Sequence, residues 1–443
     1  MKFVIIGGDA AGMSAAMQMV RNSEGHEIVT LERGEIYSYG QCGLPYVLSG
    51  DVDSTDRLIA RTPETFRDQY GIDARTRHEV TKVDCDHKIV FGTDHHSGKP
   101  FQEKYDRLLI ATGADPVVPP WEGKQLQGIY SLKTIPDIEK IIQSMDHRVQ
   151  TVTIVGGGYI GLEMAEAFAA RNKQIRIIDR GSQLAKLFDK DMGELIHEEA
   201  ERNRIQLNLN ESVEEFKGNT RVETIVTDRG EYETDLVLVA AGVVPNTSFL
   251  EDTGIYTSYQ GAIQVNAFME TSIHDIFAAG DCATQYHRIK HTNDYVPLGT
   301  HANKQGQVAG LNMVNIRKPF KGIVGTSILK FFDLTLARTG LSEKEAVQSH
   351  IPYQTITTNS TAAAGYYSSG DELTIKLLYH KDKRMLLGGQ VIGREGADKR
   401  IDVLATALFH KMTVEELLDL DLAYAPPYNS VWDPVQQAAR KAK

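Results

Sequence analysis

The stretch that decides the fold runs Thr153-Ile154-Val155-Gly156-Gly157-Gly158-Tyr159-Ile160-Gly161-Leu162-Glu163. An apolar strand leads into a complete G-x-G-x-x-G turn, and a helix-forming sequence follows directly. Such a turn lets a pyrophosphate approach the backbone at the N-terminus of the helix. The next apolar run ends at Asp179, an acid at the distance that suits a ribose hydroxyl. We therefore predict a Rossmann-like dinucleotide-binding domain around this motif.

A weaker copy of the same pattern stands near the N-terminus. Residues 3–12 form an apolar strand and a glycine turn, but Asp9 occupies the position of the middle glycine. A second apolar run ends in Glu32, again an acid placed for a ribose hydroxyl. A plain strand–helix–strand crossover is the other reading of this copy taken alone. Two such motifs in one chain indicate two dinucleotide sites or an internal duplication.

The rest of the chain extends this pattern and then changes character. Apolar runs at residues 105–114, 236–242 and 276–282 each end in a small-residue turn, which predicts that the first nucleotide domain is interrupted by the second. From about Gly322, alternating apolar residues predict antiparallel strands and then a helix. We therefore predict an α/β fold with two Rossmann-like domains and an α+β C-terminal domain. The expected boundaries are 1–116, 117–247, 248–321 and 322–443.

The composition narrows the class of function. The 443 residues carry 48 Lys and Arg against 59 Asp and Glu, a net charge of −11, which argues against a nucleic-acid surface. No apolar run approaches a membrane span, and the start lacks the pattern of a signal peptide. Three cysteines do not form a disulfide framework, and the histidine spacing predicts no metal site. We expect a cytoplasmic protein without nucleic-acid or membrane partners.

Cys42 is the candidate catalytic residue. It stands in Tyr39-Gly40-Gln41-Cys42-Gly43-Leu44-Pro45-Tyr46, and the position five residues later is Val47 rather than a second cysteine. Redox chemistry at Cys42 would therefore need a sulfur from outside the chain. A helix predicted from Gly43 would place Cys42 at its N-terminal end, where the thiol pKa is expected to be lowered. A small buried residue at a tight turn is the other interpretation.

The combined motifs resemble the flavoprotein disulfide reductases that bind two dinucleotides. The resemblance implies FAD in the first domain and NADH or NADPH in the inserted one. Within that family, the lone cysteine in Y-x-Q-C-G-L-P-Y is similar to the coenzyme A disulfide reductase branch. The residues predicted to contact the cofactors are Gly7, Gly8, Gly12, Glu32, Arg33, Thr112, Gly113, Gly156, Gly158, Tyr159, Ile160, Gly161, Glu163, Asp179, Arg180, Gly280 and Asp281.

The same resemblance implies a substrate and a homodimer. Cys42 would form a mixed disulfide with coenzyme A, and Tyr366 and Tyr424 of the partner subunit would act as proton donors or positioning groups. Tyr367 and Tyr428 are the adjacent alternatives, and interface packing is the plainer reading of all four. The residues that match coenzyme A contacts are Ser14, Gln18, Arg21, Ser38, Gln41 and His301.

At two positions expected to bind the substrate phosphates, the sequence differs from the coenzyme A disulfide reductase branch. Trp432 stands where a basic residue is expected, and Tyr70 where a lysine is expected. A solvated helix face is the plainer reading of the residues matched to coenzyme A on the first helix.

Other functions stay open at this point. NADH oxidase or peroxidase chemistry would use a sulfenic acid at Cys42, but Ala10 stands where those enzymes carry a histidine. Persulfide or polysulfide reduction and a flavin-bound redox sensor without turnover are the remaining alternatives. Asp179 favours NADH, whereas Arg180 next to it could receive a 2′-phosphate, so we predict that both nicotinamides are used.

Overall fold

The structure is a computed structural model that describes residues 1–258, 260–367 and 371–442. The predicted α/β class is confirmed, with two parallel five-stranded sheets followed by an antiparallel five-stranded sheet. The boundaries expected between the domains stay predictions. None of the helices in the described part of the chain combines the length and the apolar character needed to cross a membrane.

The N-terminal segment begins as the sequence predicts, with a buried strand, a glycine turn and a helix. Its strands read as continuous apolar runs because both faces of a parallel sheet are covered. A three-stranded antiparallel sheet follows. The elements are β1 (Lys2–Ile6), α1 (Ala10–Asn22), β2 (Glu27–Leu31), α2 (Leu44–Ser49), α3 (Pro63–Tyr70), β3 (Asp73–Arg75), β4 (His78–Asp84), β5 (Ile89–Asp94), β6 (Lys99–Lys104), β7 (Arg107–Ile110) and β8 (Ala114–Pro116).

The inserted domain repeats this plan. The elements are β9 (Ile129–Tyr130), α4 (Ile135–Ser144), β10 (Thr151–Val155), α5 (Tyr159–Ala170), β11 (Gln174–Asp179), α6 (Lys190–Arg202), β12 (Gln206–Leu209), β13 (Val213–Lys217), β14 (Thr224–Thr227), β15 (Gly230–Glu233), β16 (Leu236–Val239) and β17 (Val243–Pro245). The parallel sheet has the order β12-β11-β10-β16-β9, and β13, β14 and β15 form a separate antiparallel sheet.

The chain then returns to complete the first sheet. Strand β18 (Ile276–Ala278) pairs with β7, which gives the parallel order β18-β7-β1-β2-β3. The segment adds β19 (Gln285–His287), β20 (Thr292–Asp294) and α7 (Gly299–Met313). Helix α7 packs closely on α1, because a Cβ at Gly306 or Gly310 would lie 2.2 or 2.4 Å from a backbone oxygen of α1. The interruption predicted from the three apolar runs is therefore confirmed.

The C-terminal domain carries the antiparallel sheet. The elements are β21 (Ser327–Phe331), β22 (Leu334–Gly340), α8 (Glu343–Gln348), β23 (Tyr353–Thr361), β24 (Glu372–His380), β25 (Leu386–Gly393), α9 (Ala397–Phe409), α10 (Val414–Leu418) and α11 (Pro434–Lys441). The strand order is β21-β22-β25-β24-β23, and the predicted antiparallel strands are confirmed, since β24 and β25 are antiparallel neighbours.

A buried cation ties the C-terminal domain to the inserted one. Lys376 is 4% exposed, and its ammonium lies 2.7 Å from Asp191, 2.5 Å from Glu343 and 3.3 Å from Asp189. The three carboxylates converge closely enough to hold a metal ion. The ammonium of Lys376 supplies the positive charge among them, so we interpret the cluster as a structural link.

Candidate functional site

The first glycine loop is built for close approach to its backbone. Gly7 has φ +114°, and a Cβ there would lie 2.2 Å from the carbonyl oxygen of Ala111. A Cβ at Gly12 would lie 2.0 Å from the carbonyl oxygen of Gly7, so α1 begins tightly against the strand. Only glycine fits these positions, and the resulting cradle at the start of a helix suits a pyrophosphate.

The Glu32 carboxylate stabilises this loop by accepting backbone hydrogen bonds. Its Oε2 accepts a hydrogen bond of 2.8 Å from the Gly8 N–H, and its Oε1 accepts one of 2.7 Å from the Gly34 N–H. The neighbouring Arg33 turns away and forms an ion pair of 2.5 Å with Asp115. The structure therefore places the predicted acid at the loop, whereas the guanidinium of Arg33 is already occupied.

The second glycine loop has nearly the same geometry. Gly156 has φ +110°, and a Cβ there would lie 2.3 Å from the Ala240 carbonyl oxygen. A Cβ at Gly161 would lie 2.0 Å from the Gly156 oxygen. Asp179 accepts hydrogen bonds from the Gly157 N–H at 2.7 Å and the Gly181 N–H at 2.6 Å. Gly158, an exposed residue without a Cβ, leaves the start of α5 open.

The other residues predicted to contact the cofactor at α5 and just after β11 differ in their exposure to solvent. Tyr159 points into the protein, where its hydroxyl is 2.5 Å from Ser327 Oγ and burial raises its pKa. Ile160 is 38% exposed and Arg180 is exposed, so both side chains are accessible to a ligand. The Tyr159 hydroxyl therefore links two domains, which its place in the motif did not indicate.

The two small-residue turns of the first domain lie beside its glycine loop. Thr112 Oγ1 donates a hydrogen bond of 2.7 Å to the Asn246 carbonyl, and Gly113 has φ +69°. Gly280 has φ +85°, and a Cβ there would lie 2.9 Å from Ala11 Cβ at the start of α1. Its neighbour Asp281 extends the same turn, so these predicted residues converge on the first loop.

Lys133 is a member of the site that the sequence did not reveal. Its ammonium lies 3.4 Å from Asp281 Oδ2, and both side chains are largely buried. Lys133 precedes α4 in the inserted domain, where no motif marks it. Only the packing of the two domains brings this cation to the first nucleotide site.

Asp9, which breaks the first glycine motif, has a role of its own in the structure. Its side chain does not cap α1. Instead Oδ2 accepts a hydrogen bond of 2.7 Å from Gln41 Nε2, and Oδ1 accepts one of 3.2 Å from the Tyr39 N–H. Burial raises the pKa of Asp9 to about 6. The carboxylate therefore joins the glycine loop to the turn that carries Cys42.

Cys42 is exposed within a single 3-10 turn, Gln41–Gly43, and α2 begins directly after it. The charged groups that act on its thiol include Glu163, Lys133 and Asp281. Desolvation and the Glu163 carboxylate raise the pKa of Cys42, while Lys133 opposes them. The lowering of the thiol pKa expected from a helix N-terminus is wrong for the protein groups alone. The six-residue helix starts beyond Cys42, and desolvation, followed by the Glu163 carboxylate, raises the pKa of the thiol instead.

Glu163 comes from the second glycine motif and lies beside the cysteine of the first domain. Burial, followed by the nearby Glu166, raises the pKa of Glu163 to about 7. Helix α2 packs against α5, which carries Glu163. The site thus contains a thiol, a carboxyl that titrates near neutral pH and a lysine, which together can hold and exchange protons at sulfur.

The residues matched to coenzyme A contacts lie around α1 and the cysteine turn. Ser14 Oγ donates a hydrogen bond of 2.7 Å to Asn303 Oδ1, and Gln18 Oε1 accepts one of 3.1 Å from Asn22. Arg21 is exposed at the end of α1. These contacts keep Ser14 against α7 and leave the guanidinium of Arg21 in solvent.

The remaining three matched residues stand closer to the cysteine turn or inside α7. Ser38 has φ +46°, and its N–H donates a hydrogen bond of 3.0 Å to the Gly8 carbonyl. The Gln41 amide is held by Asp9. His301 is buried, and its Nδ1 donates a hydrogen bond of 2.9 Å to the Val296 carbonyl. Ser38 and Gln41 are therefore brought to the first loop, whereas His301 is enclosed.

The two tyrosines predicted to act together do meet. The hydroxyls of Tyr366 and Tyr424 are 3.1 Å apart, and the side chains are exposed by 78% and 47%. They line an open pocket of about 470 Å³ with Trp432 and Arg440. Cys42 of the same chain does not line this pocket. The structure therefore supports the pairing of the tyrosines, and their link to Cys42 stays a prediction.

The comparisons with known proteins agree with this geometry. Residues 1–306 match the family model of the pyridine nucleotide-disulphide oxidoreductases, and residues 326–435 match the dimerisation domain of that family. Over 99% of its length, the chain is 39% identical to the NAD(P)H sulfur oxidoreductase (CoA-dependent) of Pyrococcus abyssi, of which it covers 98%.

Two further similarities concern coenzyme A disulfide reductases. The chain is 31% identical to the coenzyme A disulfide reductase of Staphylococcus haemolyticus, over 100% of this chain and 99% of that protein. The solved structure of reduced CoADR-RHD from Bacillus anthracis is similar with a TM-score of 0.96 and 33% identity, covering 99% of this chain and 79% of that one.

Proposed function

Because the chain belongs to the pyridine nucleotide-disulphide oxidoreductase family, whose members use FAD and NAD(P)H, we propose that it is an NAD(P)H-dependent coenzyme A disulfide reductase. The observation that carries the proposal is the single exposed sulfur of the site. Cys42 is exposed, Cys85 is half-buried, Cys282 is buried, and all three are free thiols. A lone accessible thiol beside a dinucleotide cradle suits a disulfide partner supplied by the substrate.

The residues of both loops fit the two cofactors. Each loop has a cradle that a Cβ would fill, at Gly7 and at Gly156, and each has an acid in position for a ribose hydroxyl. The first loop, with Thr112 and the turn at Gly280-Asp281, would hold FAD, and the second would hold NAD(P)H. When bound, FAD supplies two-electron transfer from NAD(P)H to sulfur.

Cys42 carries the substrate chemistry. Its thiolate attacks one sulfur of coenzyme A disulfide, so the substrate S–S bond breaks and a Cys42–S–S–CoA mixed disulfide forms. The first coenzyme A leaves as a thiolate and takes up a proton. Two electrons from NAD(P)H then cleave the mixed disulfide and release the second coenzyme A. The net reaction consumes one coenzyme A disulfide, one NAD(P)H and one proton, and it yields two coenzyme A thiols and one NAD(P)⁺.

The charges around Cys42 set the protonation of its sulfur. Burial and, after it, the Glu163 carboxylate favour the thiol, whereas the ammonium of Lys133 favours the thiolate. Since the pKa of Glu163 is about 7, this carboxyl can accept a proton at neutral pH as the thiolate forms. Asp9 keeps the cysteine turn in place through Gln41 and the Tyr39 N–H.

We assign proton delivery to the leaving thiolate to the Tyr366–Tyr424 pair of a second subunit. The match to a dimerisation domain supports a homodimer, and the exposed tyrosine pair does not share a pocket with Cys42 of its own chain. Light scattering should give a dimer. An active monomer would contradict this arrangement.

A second candidate is coenzyme A-dependent reduction of polysulfide or persulfide. The name of the Pyrococcus abyssi relative, a CoA-dependent sulfur oxidoreductase at 39% identity, favours it. The two functions share the mixed disulfide at Cys42 and differ in which sulfur species renews it. For either function we propose a cytoplasmic location, where such thiols are kept reduced.

The decisive experiment combines turnover with the mass of the protein. NAD(P)H oxidation is followed with coenzyme A disulfide, with polysulfide in the presence and absence of coenzyme A, and with oxygen. We expect the fastest turnover with coenzyme A disulfide and an adduct of coenzyme A mass on the oxidised protein. Faster polysulfide turnover that requires coenzyme A would favour the second candidate, and fast oxygen turnover with a Cys42 sulfenic acid would favour an oxidase.

Cysteine variants locate the chemistry. Cys42→Ser should keep FAD and accept hydride but lose disulfide reduction by more than about 1000-fold, because serine forms no mixed disulfide. Cys85→Ser is the matched control and should retain most activity, since Cys85 lies in the turn after β4. A fully active Cys42→Ser would refute the proposal.

A further inference from the structure

Arg400 is an enclosed cation that the reaction described above does not use. It lies in α9 and is 1% exposed. Its Nε donates a hydrogen bond of 3.2 Å to Oδ2 of Asp433, which is enclosed as well. An enclosed guanidinium is costly to desolvate unless its charge is paired and its remaining N–H groups find acceptors. Those acceptors decide which segments of the chain the guanidinium holds.

The remaining N–H groups reach the two loops that carry the tyrosine pair, residues 362–367 and residues 423–429. Nη2 of the guanidinium lies 3.1 Å from the Ala362 carbonyl in the first loop. The same atom lies 3.2 Å from the Tyr428 carbonyl and 3.0 Å from Asn429 Oδ1 in the second loop. One side chain on α9 therefore bonds to both loops and fixes the distance between them.

The amide of Asn429 extends this hold to the backbone beside one of the tyrosines. Its Nδ2 donates a hydrogen bond of 2.7 Å to Asp433 Oδ2 and one of 3.1 Å to the Ala423 carbonyl. Asn429 is 1% exposed, and Ala423 directly precedes Tyr424 in the chain. Asn429 therefore connects the Arg400–Asp433 ion pair to the residue next to Tyr424.

Two backbone features complete this arrangement. The Ala364 N–H of the first loop donates a hydrogen bond of 3.0 Å to the Pro426 carbonyl of the second. Gly396, just before α9, has φ +74°, and a Cβ there would lie 2.2 Å from Nη1 of Arg400. Only glycine leaves room for the guanidinium, and the Gly396 carbonyl accepts a hydrogen bond of 3.2 Å from Nη1. The two loops, the guanidinium and the start of α9 thus form one hydrogen-bonded unit.

The tyrosine side chains have little packing of their own to hold them. Tyr366 is 78% exposed and Tyr424 is 47% exposed, so the backbone of the two loops sets where their hydroxyls lie. We propose that Arg400 is a positioning residue for disulfide reduction, because its guanidinium fixes the two loops and thereby holds the tyrosine hydroxyls 3.1 Å apart. This rests on the proposed function and deepens it by naming what places the proton donors.

Rapid mixing separates the two halves of the reaction in the dimeric holoenzyme. Arg400→Lys keeps the charge but loses the planar fork that reaches several acceptors. It should slow reoxidation of the reduced flavin by coenzyme A disulfide about tenfold, since displaced proton donors act less well. It should change flavin reduction by NAD(P)H by less than about twofold, because that step does not use the tyrosines.

Arg338→Lys is the matched control. Arg338 is an enclosed cation of the same domain, and its guanidinium is bonded to the Gly340 carbonyl and to Glu345, outside both tyrosine loops. The same change at this position should keep both rates within about twofold of the parent.

A double variant tests whether Arg400 acts through the tyrosines. Once Tyr424→Phe has removed one hydroxyl, adding Arg400→Lys should slow reoxidation by less than about twofold more, because both changes disturb one unit. Asn429→Ala keeps the Arg400–Asp433 pair and frees the backbone beside Tyr424, so it should slow reoxidation about threefold. A further loss of about tenfold in the Tyr424→Phe background, or an equal loss in Arg338→Lys, would show a merely structural role and overturn the inference.

A fluorotyrosine at position 366 gives a readout that needs no substrate. The hydrogen bond with Tyr424 raises the pKa of the Tyr366 hydroxyl, so separating the pair lowers it. Fluorine NMR against pH should show a lower midpoint in Arg400→Lys than in the parent, as in Tyr424→Phe. The same midpoint in Arg400→Lys and the parent would overturn the inference whatever the kinetics. Failure of the proposed function is distinguishable, since coenzyme A disulfide would then not reoxidise the parent flavin, while this titration still reports the pair.

Discussion

The first and second glycine loops have the same backbone and different surroundings. Gly7 and Gly156 have φ of +114° and +110°, and in each loop the acid of the next strand accepts a backbone N–H at 2.8 or 2.7 Å. The second carboxylate oxygen of each acid also accepts a backbone hydrogen bond, from the Gly34 N–H to Glu32 and from the Gly181 N–H to Asp179. The repeat expected from the sequence is therefore present at the level of single hydrogen bonds.

At three pairs of equivalent positions in the two glycine motifs, the side chains differ in type or in what they contact. The middle residue is Asp9 in the first loop and Gly158 in the second. Two further pairs, Ser14 with Glu163 and Arg33 with Arg180, also diverge in what they contact. Asp9 is hydrogen-bonded to the cysteine turn, and the Glu163 carboxylate raises the pKa of the Cys42 thiol. We therefore infer that one scaffold is used for two dinucleotides, and that side chains outside the shared hydrogen bonds distinguish the two sites.

The largest expected effect comes from the same change in both loops. Gly7→Ala and Gly156→Ala each place a Cβ within 2.3 Å of a carbonyl oxygen and should each cost about 1–3 kcal/mol of stability. Gly7→Ala should be purified with little FAD. Gly156→Ala should keep its FAD, while flavin reduction by NAD(P)H falls more than about 100-fold.

Flavin absorbance per chain and stopped-flow reduction measure the two outcomes, and urea unfolding reports the stability. If flavin were lost only from Gly156→Ala, the second loop and not the first would be the one that binds FAD.

The next effect concerns Asp9 and depends on pH. Burial raises the pKa of this carboxyl to about 6 from an ordinary value of 3.8, so the folded state holds the proton more tightly than the unfolded state does. Stability should therefore fall as pH rises from about 4 to about 6, because ionisation costs more in the folded protein. Asp9→Asn should be more stable than the parent by about 1–3 kcal/mol at pH 7, and the difference should fade below pH 4.

Asp9→Gly sharpens the comparison by giving the first loop the residue of the second. The Tyr39 N–H and the Gln41 amide then lose their acceptor. Hydrogen exchange at the Tyr39 amide should accelerate about tenfold, since the cysteine turn opens more readily. Exchange that stays at the parent rate would show that Asp9 does not hold this turn.

The smallest effect is expected at Arg180, which is exposed where its counterpart Arg33 is paired. Arg180→Gln should lower kcat/KM for NADPH about tenfold and change that for NADH less than twofold, because only NADPH carries a 2′-phosphate. Arg229→Gln, an exposed charge change in the loop between β14 and β15, is the control. A parent enzyme without any NADPH activity would remove the basis for this role of Arg180.

Much of the site was accessible from local sequence. The two loops, their acids and the lone Cys42 were predicted because each depends on residues close together in the chain, whose types allow few conformations. The pairing of Tyr366 with Tyr424 followed only from a family resemblance, and the hydroxyl contact of 3.1 Å supports it. Lys133 was missed because nothing near it in sequence marks a site.

The sequence by itself determined the strand–turn–helix order of the two glycine motifs, the two dinucleotide cradles and the absence of a second cysteine near Cys42. Only the tertiary structure decided the electrostatics of that cysteine. Glu163 and Lys133 belong to the inserted domain, and their packing beside the first domain raises or lowers the pKa of the thiol. Charge–charge energies depend on distance and burial, and these are set by contacts between segments far apart in the chain.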